Sequence, residues 1–133
     1  MQDFKKLDVW RKSHELVVLI YRAIPTGSER RYPGLGAQLR RSASSVPANI
    51  VEGCGHSSER EFARFLQMAV ASANEVLYHL LLARDLGMLQ SAAFARLEAR
   101  GEQVKKMLVG LLRHVRTAPT RPSQTSSPPS ANR

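Results

Sequence analysis

Four segments of this chain bring an apolar residue back to the same side about every 3.5 positions, the period of helices packed side by side rather than of strands. The first runs Leu7, Trp10, His14, Val17, Tyr21, Ile24, with Asp8 as its cap and Pro25-Thr26-Gly27 as its stop. Leu16, Val18, Leu19 and Ile20 widen its apolar face, which suits a helix with neighbours on two sides. On that line His14 reads as a hydrogen-bonded core imidazole. Residues 25–34, with two prolines and two glycines, read as a loop.

The second segment runs Leu35, Leu39, Ala43, Val46, Ile50 and ends at Gly53-Cys54-Gly55. Pro47 lies inside it and cannot donate to the backbone ladder, so the helix is expected to be kinked but continuous, with Ser44 as the cap of any restart. The third opens at Ser58, which with Glu61 fits a capping box. It continues Phe62, Leu66, Ala69, Ala73, Val76, Leu80, Ala83, and Gly87 supplies a left-handed stop. At roughly 1.5 Å per residue it spans about 40 Å and reads as the longest helix. The fourth starts near Ser91 and runs Phe94, Leu97, Gly101, Val104, Leu108, Leu111, Val115, with Pro119 ending it. Short links between helices force antiparallel neighbours, so the expected fold is an all-α, up-down-up-down four-helix bundle over residues 1–116. Residues 117–133 hold four prolines, seven Ser/Thr and no large apolar side chain, and read as a disordered tail.

Charge narrows the function. The 133 residues carry a net +9, and the surplus sits in two places. Residues 30–41 hold Arg30, Arg31, Arg40 and Arg41 with no acid; residues 96–121 hold seven basic groups against Glu98 and Glu102. The rest of the chain balances. Taking Phe94 as the first position of a heptad, Arg96, Lys106, Arg113 and Arg116 fall away from the seam and form a basic stripe on the outer face of the fourth helix. Such a surface attracts polyanions. With 6% aromatic residues, stacking on bases has few candidates: Trp10 and Phe62 read as core, leaving Tyr32.

Motifs for catalysis are missing. Gly34-x-Gly36 and Gly53-x-Gly55 lack the third glycine and preceding strand of a dinucleotide site, and no GK[ST] cradles a phosphate. Glu75 and His79 stand alone at i,i+4, where a di-iron bundle needs two Glu-x-x-His pairs. Cys54 and His56 flank a glycine, but no orienting third group follows. No catalytic residue, metal ligand or cofactor is therefore assigned. One cysteine excludes an internal disulfide and fits a reducing, cytoplasmic setting; no apolar run approaches the ~20 residues of a membrane span.

A set of polar residues lies on or beside the seams of the second and third helices: Gln38, Arg41, Asn49 and Glu52 on one, Glu61, Arg64, Ser72, Asn74 and Glu75 on the other. Carboxylates there are costly to bury unless paired, and Arg supplies the planar fork that pairs them. Gln38, Arg41, Asn49, Glu52, Glu61 and Glu75 are thus expected to form a buried or inter-subunit network.

These same residues carry a family likeness. The motifs L-D-V-W-R-K-S-H-E-L (Leu7–Leu16), Q-L-R-R-S-A (Gln38–Ala43), S-V-P-A-N-I-V-E-G (Ser45–Gly53), E-F-x-R-F-L (Glu61–Leu66) and L-L-A-R-D-L-G-M-L (Leu81–Leu89) occur in order. Together they resemble the bacterial four-helix-bundle family of proteins encoded in large-subunit rRNA intervening sequences, related to the Avd accessory proteins of diversity-generating retroelements. Val51 stands where the family usually has Ala, and Ala71 where Gly is common. The resemblance implies a basic homopentameric ring. In the retroelement branch it also implies binding of nucleic acid and a reverse transcriptase. Apolar positions in the third helix beyond its seam (Phe65, Met68, Leu77, Leu81) also point to a closed oligomer. The expected function is a non-enzymatic, oligomeric accessory protein that binds RNA or DNA. The alternative is a scaffold ring that recruits a protein partner.

Overall fold

The computed structural model describes residues 2–117. After a 3-10 turn at Phe4–Lys6 come α1 (Asp8–Ala23), the one-turn α2 (Ser28–Arg31), α3 (Leu35–Cys54), α4 (Glu59–Asp85) and α5 (Ser91–Thr117). The four long helices form the up-down-up-down bundle. α3 packs on α4, α4 on α5, and α1 closes the square by touching both α3 and α5. The centre is aliphatic: Leu16, Ile20, Leu39, Ile50, Leu66, Leu80, Leu97 and Leu108 are fully buried. Each such side chain contributes roughly 1.5–3 kcal/mol relative to exposure.

The predicted lines of α3 and α4 are all buried, from Leu35 to Ile50 and from Phe62 to Ala83. α4 begins on Ser58, whose Oγ accepts from the Glu61 N–H at 3.0 Å. The box is only half made, because the Glu61 carboxylate turns to Arg64 instead. At the far end Gly87 adopts φ +84°, and Met88 N–H donates to the Ala83 carbonyl at 2.8 Å, closing the helix as expected. By length and composition α4 would suffice to cross a bilayer. Its apolar line, however, is the bundle's own core.

α3 is continuous through the buried Pro47, as expected, so no restart needs a cap, and Ser44 Oγ donates to the Arg41 carbonyl at 3.2 Å. Several other local expectations are corrected. Asp8 is the first helical residue rather than the cap; Leu7 precedes it without a side-chain bond, and Asp8 pairs with Arg11. In α1 the buried line is Val9, Ser13, Leu16 and Ile20. Trp10 is half-buried, and His14 is exposed, stacked on the Trp10 ring at 5.1 Å. A helix wedged between α3 and α5 buries the bisector of its broad apolar face, and the line through Leu7 misses that direction. On α5 the buried residue after Leu108 is Leu112, not Leu111, since a straight helix drifts from a strict seven-residue repeat.

The segment read as a loop contains α2. Its Glu29 accepts from the Gly34 N–H at 2.8 Å (Oε1) and so covers a free donor at the start of α3. α5 has 27 residues, as many as α4, so the third helix shares the greatest length with the fourth. It also reaches Thr117, one residue into the expected tail; the rest of that tail and Pro119 lie outside the described residues. Close approach is set by small residues. A Cβ on Gly53 would stand 3.0 Å from both Phe62 Cδ1 and Phe65 Cβ, and one on Gly101 would meet Leu77 Cδ2 at 2.9 Å.

Candidate functional site

Arg30 and Arg31 project from α2, Arg40 and Arg41 from the second turn of α3, and Arg96, Lys106, Arg113 and Arg116 from α5. All are exposed except Arg40, which is half-buried. Ion pairs among the described residues are Arg11–Asp8, Lys12–Glu15, Arg64–Glu61, Arg84–Asp85 and Arg100–Glu15. None involves the eight predicted cations. Arg31 lies 5.7 Å from the Tyr32 ring centre and Arg40 5.9 Å from that of Tyr21; Arg116 Nη2 donates to Gln67 Oε1 at 3.2 Å. Otherwise their charge faces water.

The cations do not meet in one patch. Tyr32 Oη donates to the Leu86 carbonyl at 2.8 Å, which sets α2 beside the end of α4 and hence near the start of α5. Arg30, Arg31, Arg40 and Arg96 share that end of the bundle. Arg113 and Arg116 lie at the other end, about 25 Å along α5 from Arg96 at 1.5 Å per residue. Lys106 stands between. The arrangement is two exposed cationic edges, one on α2 and α3 and one along α5, on opposite corners of the square, rather than a pocket.

Within one chain the expected polar residues do not join in a single buried network. Arg41 forms no ion pair among the described residues, Glu52 is exposed near the end of α3, and Glu61 is held by Arg64 at 3.1 Å. Gln38, Arg41 and Glu75 do come together. With Ser42, Ser45 and His79 they line a depression of about 420 Å³ between α3 and α4. Asn49 lies next to it, its Nδ2 donating to the Ser45 carbonyl at 2.8 Å. Gln38 also lines an adjoining hollow of about 500 Å³ with Arg31, Tyr32, Leu82 and Leu86, next to the α3–α4 trough. Ser42, Ser45 and His79 were missed from sequence. The signal was present: 38, 42, 45 and 49 on α3, and 72, 75 and 79 on α4, share one face by the i,i+3/i+4 rule.

Hydroxyls tie the floor of this trough. Ser45 Oγ and Ser72 Oγ are 2.7 Å apart across the helices. Ser42 Oγ lies 3.0 Å from His79 Nδ1 and donates to the Leu39 carbonyl at 3.2 Å. The Ser42 hydroxyl can serve the Leu39 carbonyl while accepting from His79 Nδ1–H, or donate to Nδ1 with the ring proton on Nε2. Burial pushes the His79 pKa down, Glu75 opposes it, and Arg41 adds to it. The imidazole is therefore held neutral.

Another depression, of about 850 Å³, lies at the opposite end between the first turns of α4 and the last of α5. Cys54 is 2% exposed, and burial pushes its thiol pKa up; His56 stacks on Phe65 at 5.1 Å. Among the described residues no group of three or more His, Cys, Asp or Glu stands close enough to hold a metal.

A model of the 23S rRNA-intervening sequence protein family matches residues 5–110, nearly the whole bundle. The chain belongs to that family. A crystal structure of a protein of unknown function from the S23 ribosomal protein family of Bacteroides thetaiotaomicron superposes with a TM-score of 0.72 at 26% identity, covering 79% of this chain and 98% of that one. No curated protein matches. As a 23S rRNA-intervening sequence protein, the chain keeps its trough and all eight cations except Arg113 and Arg116 within the matched residues.

Proposed function

We propose that the protein is a non-enzymatic accessory factor of the cytoplasm that binds RNA or DNA through the phosphate backbone, working as a closed homo-oligomer. The observation that carries this reading is that, among the described residues, the eight cations form no ion pair, while the five pairs present take other residues. Unneutralised guanidinium and ammonium groups on exposed edges displace counterions from a polyanion, and that release drives association. Repeating these edges around a ring multiplies a weak contact per subunit. A reverse transcriptase is the protein partner proposed by analogy with the Avd proteins.

A titration of labelled single-stranded RNA and duplex DNA tests the reading. Binding to both at about 50 mM salt, weakening steeply by 200 mM, is expected. Absence of binding at the lower salt would refute it.

The scaffold reading draws on another observation: Met68 (43%), Tyr78 (59%), Leu81 (37%) and Leu86 (49%) are exposed along α4. Apolar residues gathered on one helix suit a protein interface. This supports assembly in either reading, and it needs no role for the charge.

A further inference from the structure

Resting on the nucleic-acid reading above, we propose that the α3–α4 trough holds one unpaired guanine nucleotide, with Glu75 gripping the base and Arg41 the phosphate.

The trough brings together groups that the fold itself does not use. Arg41 and Glu75 line the same depression and act on the same imidazole in opposite directions, yet form no ion pair with each other or with any other described residue. Hydroxyl bonds fix the floor, Ser45 to Ser72 at 2.7 Å and Ser42 to His79 at 3.0 Å, beneath the exposed side chains of Gln38, Arg41 and Glu75.

The chemistry selects the ligand. A carboxylate only accepts hydrogen bonds, and it accepts best from two donors side by side. Among the bases, guanine alone offers two adjacent donors on its Watson–Crick edge, N1–H and the N2 amino group. Adenine and cytosine offer one amino group there, uracil one imino N–H. The Gln38 amide, on the same depression, is a donor for guanine O6. The edge that Glu75 reads is hidden in a duplex, so the base must be unpaired. Arg41 supplies the bidentate fork for the attached phosphate. The adjoining hollow repeats the pattern for the neighbouring nucleotide: Tyr32 and Leu86 offer an apolar wall, and Arg31 a second guanidinium.

The test uses the full chain and two single-stranded RNA dodecamers, one of A and C only, the other with a single central guanine. The guanine RNA is expected to bind about tenfold more tightly, the discrimination of one good bidentate base contact. Glu75→Gln should bring that ratio to about one. In parallel, guanosine 5′-monophosphate should bind more tightly than guanosine, and Arg41→Gln should remove that difference. Equal affinity of the unmodified protein for the two RNAs overturns the guanine site while leaving the phosphate-binding edges standing. Failure to bind either RNA, with guanosine 5′-monophosphate still bound, rejects the edges and supports the trough. If Glu75→Gln or Arg41→Gln instead changes the mass of the assembly by light scattering and leaves both ratios as they were, the trough is an interface between copies and the proposal is wrong.

Discussion

Where α3 meets α4, hydroxyls bridge the helices below the surface: Ser45 to Ser72, and Ser42 to His79. Small residues, Ala43, Gly53, Ala69 and Ala73, are buried in these two helices. Where α1 meets α5, the cross-helix ion pair is Arg100–Glu15 at 3.7 Å, with side chains 44% and 52% exposed. The first contact is tied by directional bonds; the second is an aliphatic seam with an exposed ion pair at its rim. The functional surfaces follow the same division. A shaped, mixed-charge trough lies over the directional contact, and one of the two unneutralised positive edges runs along α5. One suits recognition of a base, the other attraction to any phosphate backbone.

Truncating the core should expose the contrast most strongly. Leu66→Ala, at a fully buried position of α4, should cost about 2–5 kcal/mol in chemical denaturation. Leu112→Ala, 7% exposed near the end of α5, should fall at or below the bottom of that range. Equal losses would mean that the two sides pack alike.

The next effect concerns the hydroxyl bridge. Ser72→Ala removes one partner of Ser45 and should lower stability by about 1 kcal/mol. Asn49 Nδ2, 3.2 Å from Ser45 Oγ, keeps that hydroxyl from being stranded. Ser45→Ala combined with Ser72→Ala should be less damaging than the sum of the two. Strict additivity in a double-mutant cycle would show that the bridge carries no coupling.

His79 makes the trough pH-dependent. Its folded pKa lies below the ordinary 6.5, chiefly through burial. Below 6.5 the unfolded chain therefore binds more protons than the folded one, and stability falls as pH drops from 6.5 through the folded pKa. Thermal melts should show this slope, and His79→Gln should flatten it. A slope of opposite sign would mean that the imidazole is stabilised as a cation. The smallest effect is expected at Arg100→Ala, within about 0.5 kcal/mol, because an exposed pair gains little.

How much of this was legible in the sequence depended on how each residue's neighbours act on it. Lines such as Leu35–Ile50 and Phe62–Ala83 were readable because they mark the inward direction of α3 and α4 directly. Ser58 and Gly87 were readable because backbone geometry demands those residue types. α1 was misread because its apolar face is broad, so the line drawn through Leu7 lies to one side of the buried Val9, Ser13, Leu16 and Ile20, and His14 stands outside it. α2 was missed because four residues show no period. Spacing placed Gln38, Arg41 and Glu75 on facing helices, yet could not show that Glu61 would turn to Arg64 or that Ser42, Ser45 and His79 would complete the trough. Side-chain choices among nearby partners are decided by distances that only the packed bundle sets.

The central claim is that exposed, unpaired cations bind the phosphate backbone, and a salt series on duplex DNA tests it most directly. For the unmodified protein log K should fall linearly with log salt, by about 0.9 for each phosphate neutralised. Reversal of Lys106 and Arg113 to Glu should weaken binding and reduce that slope by about one unit per cation lost, with the light-scattering mass unchanged. A slope identical in the two proteins, or no binding by the unmodified protein at about 50 mM salt, would contradict the account.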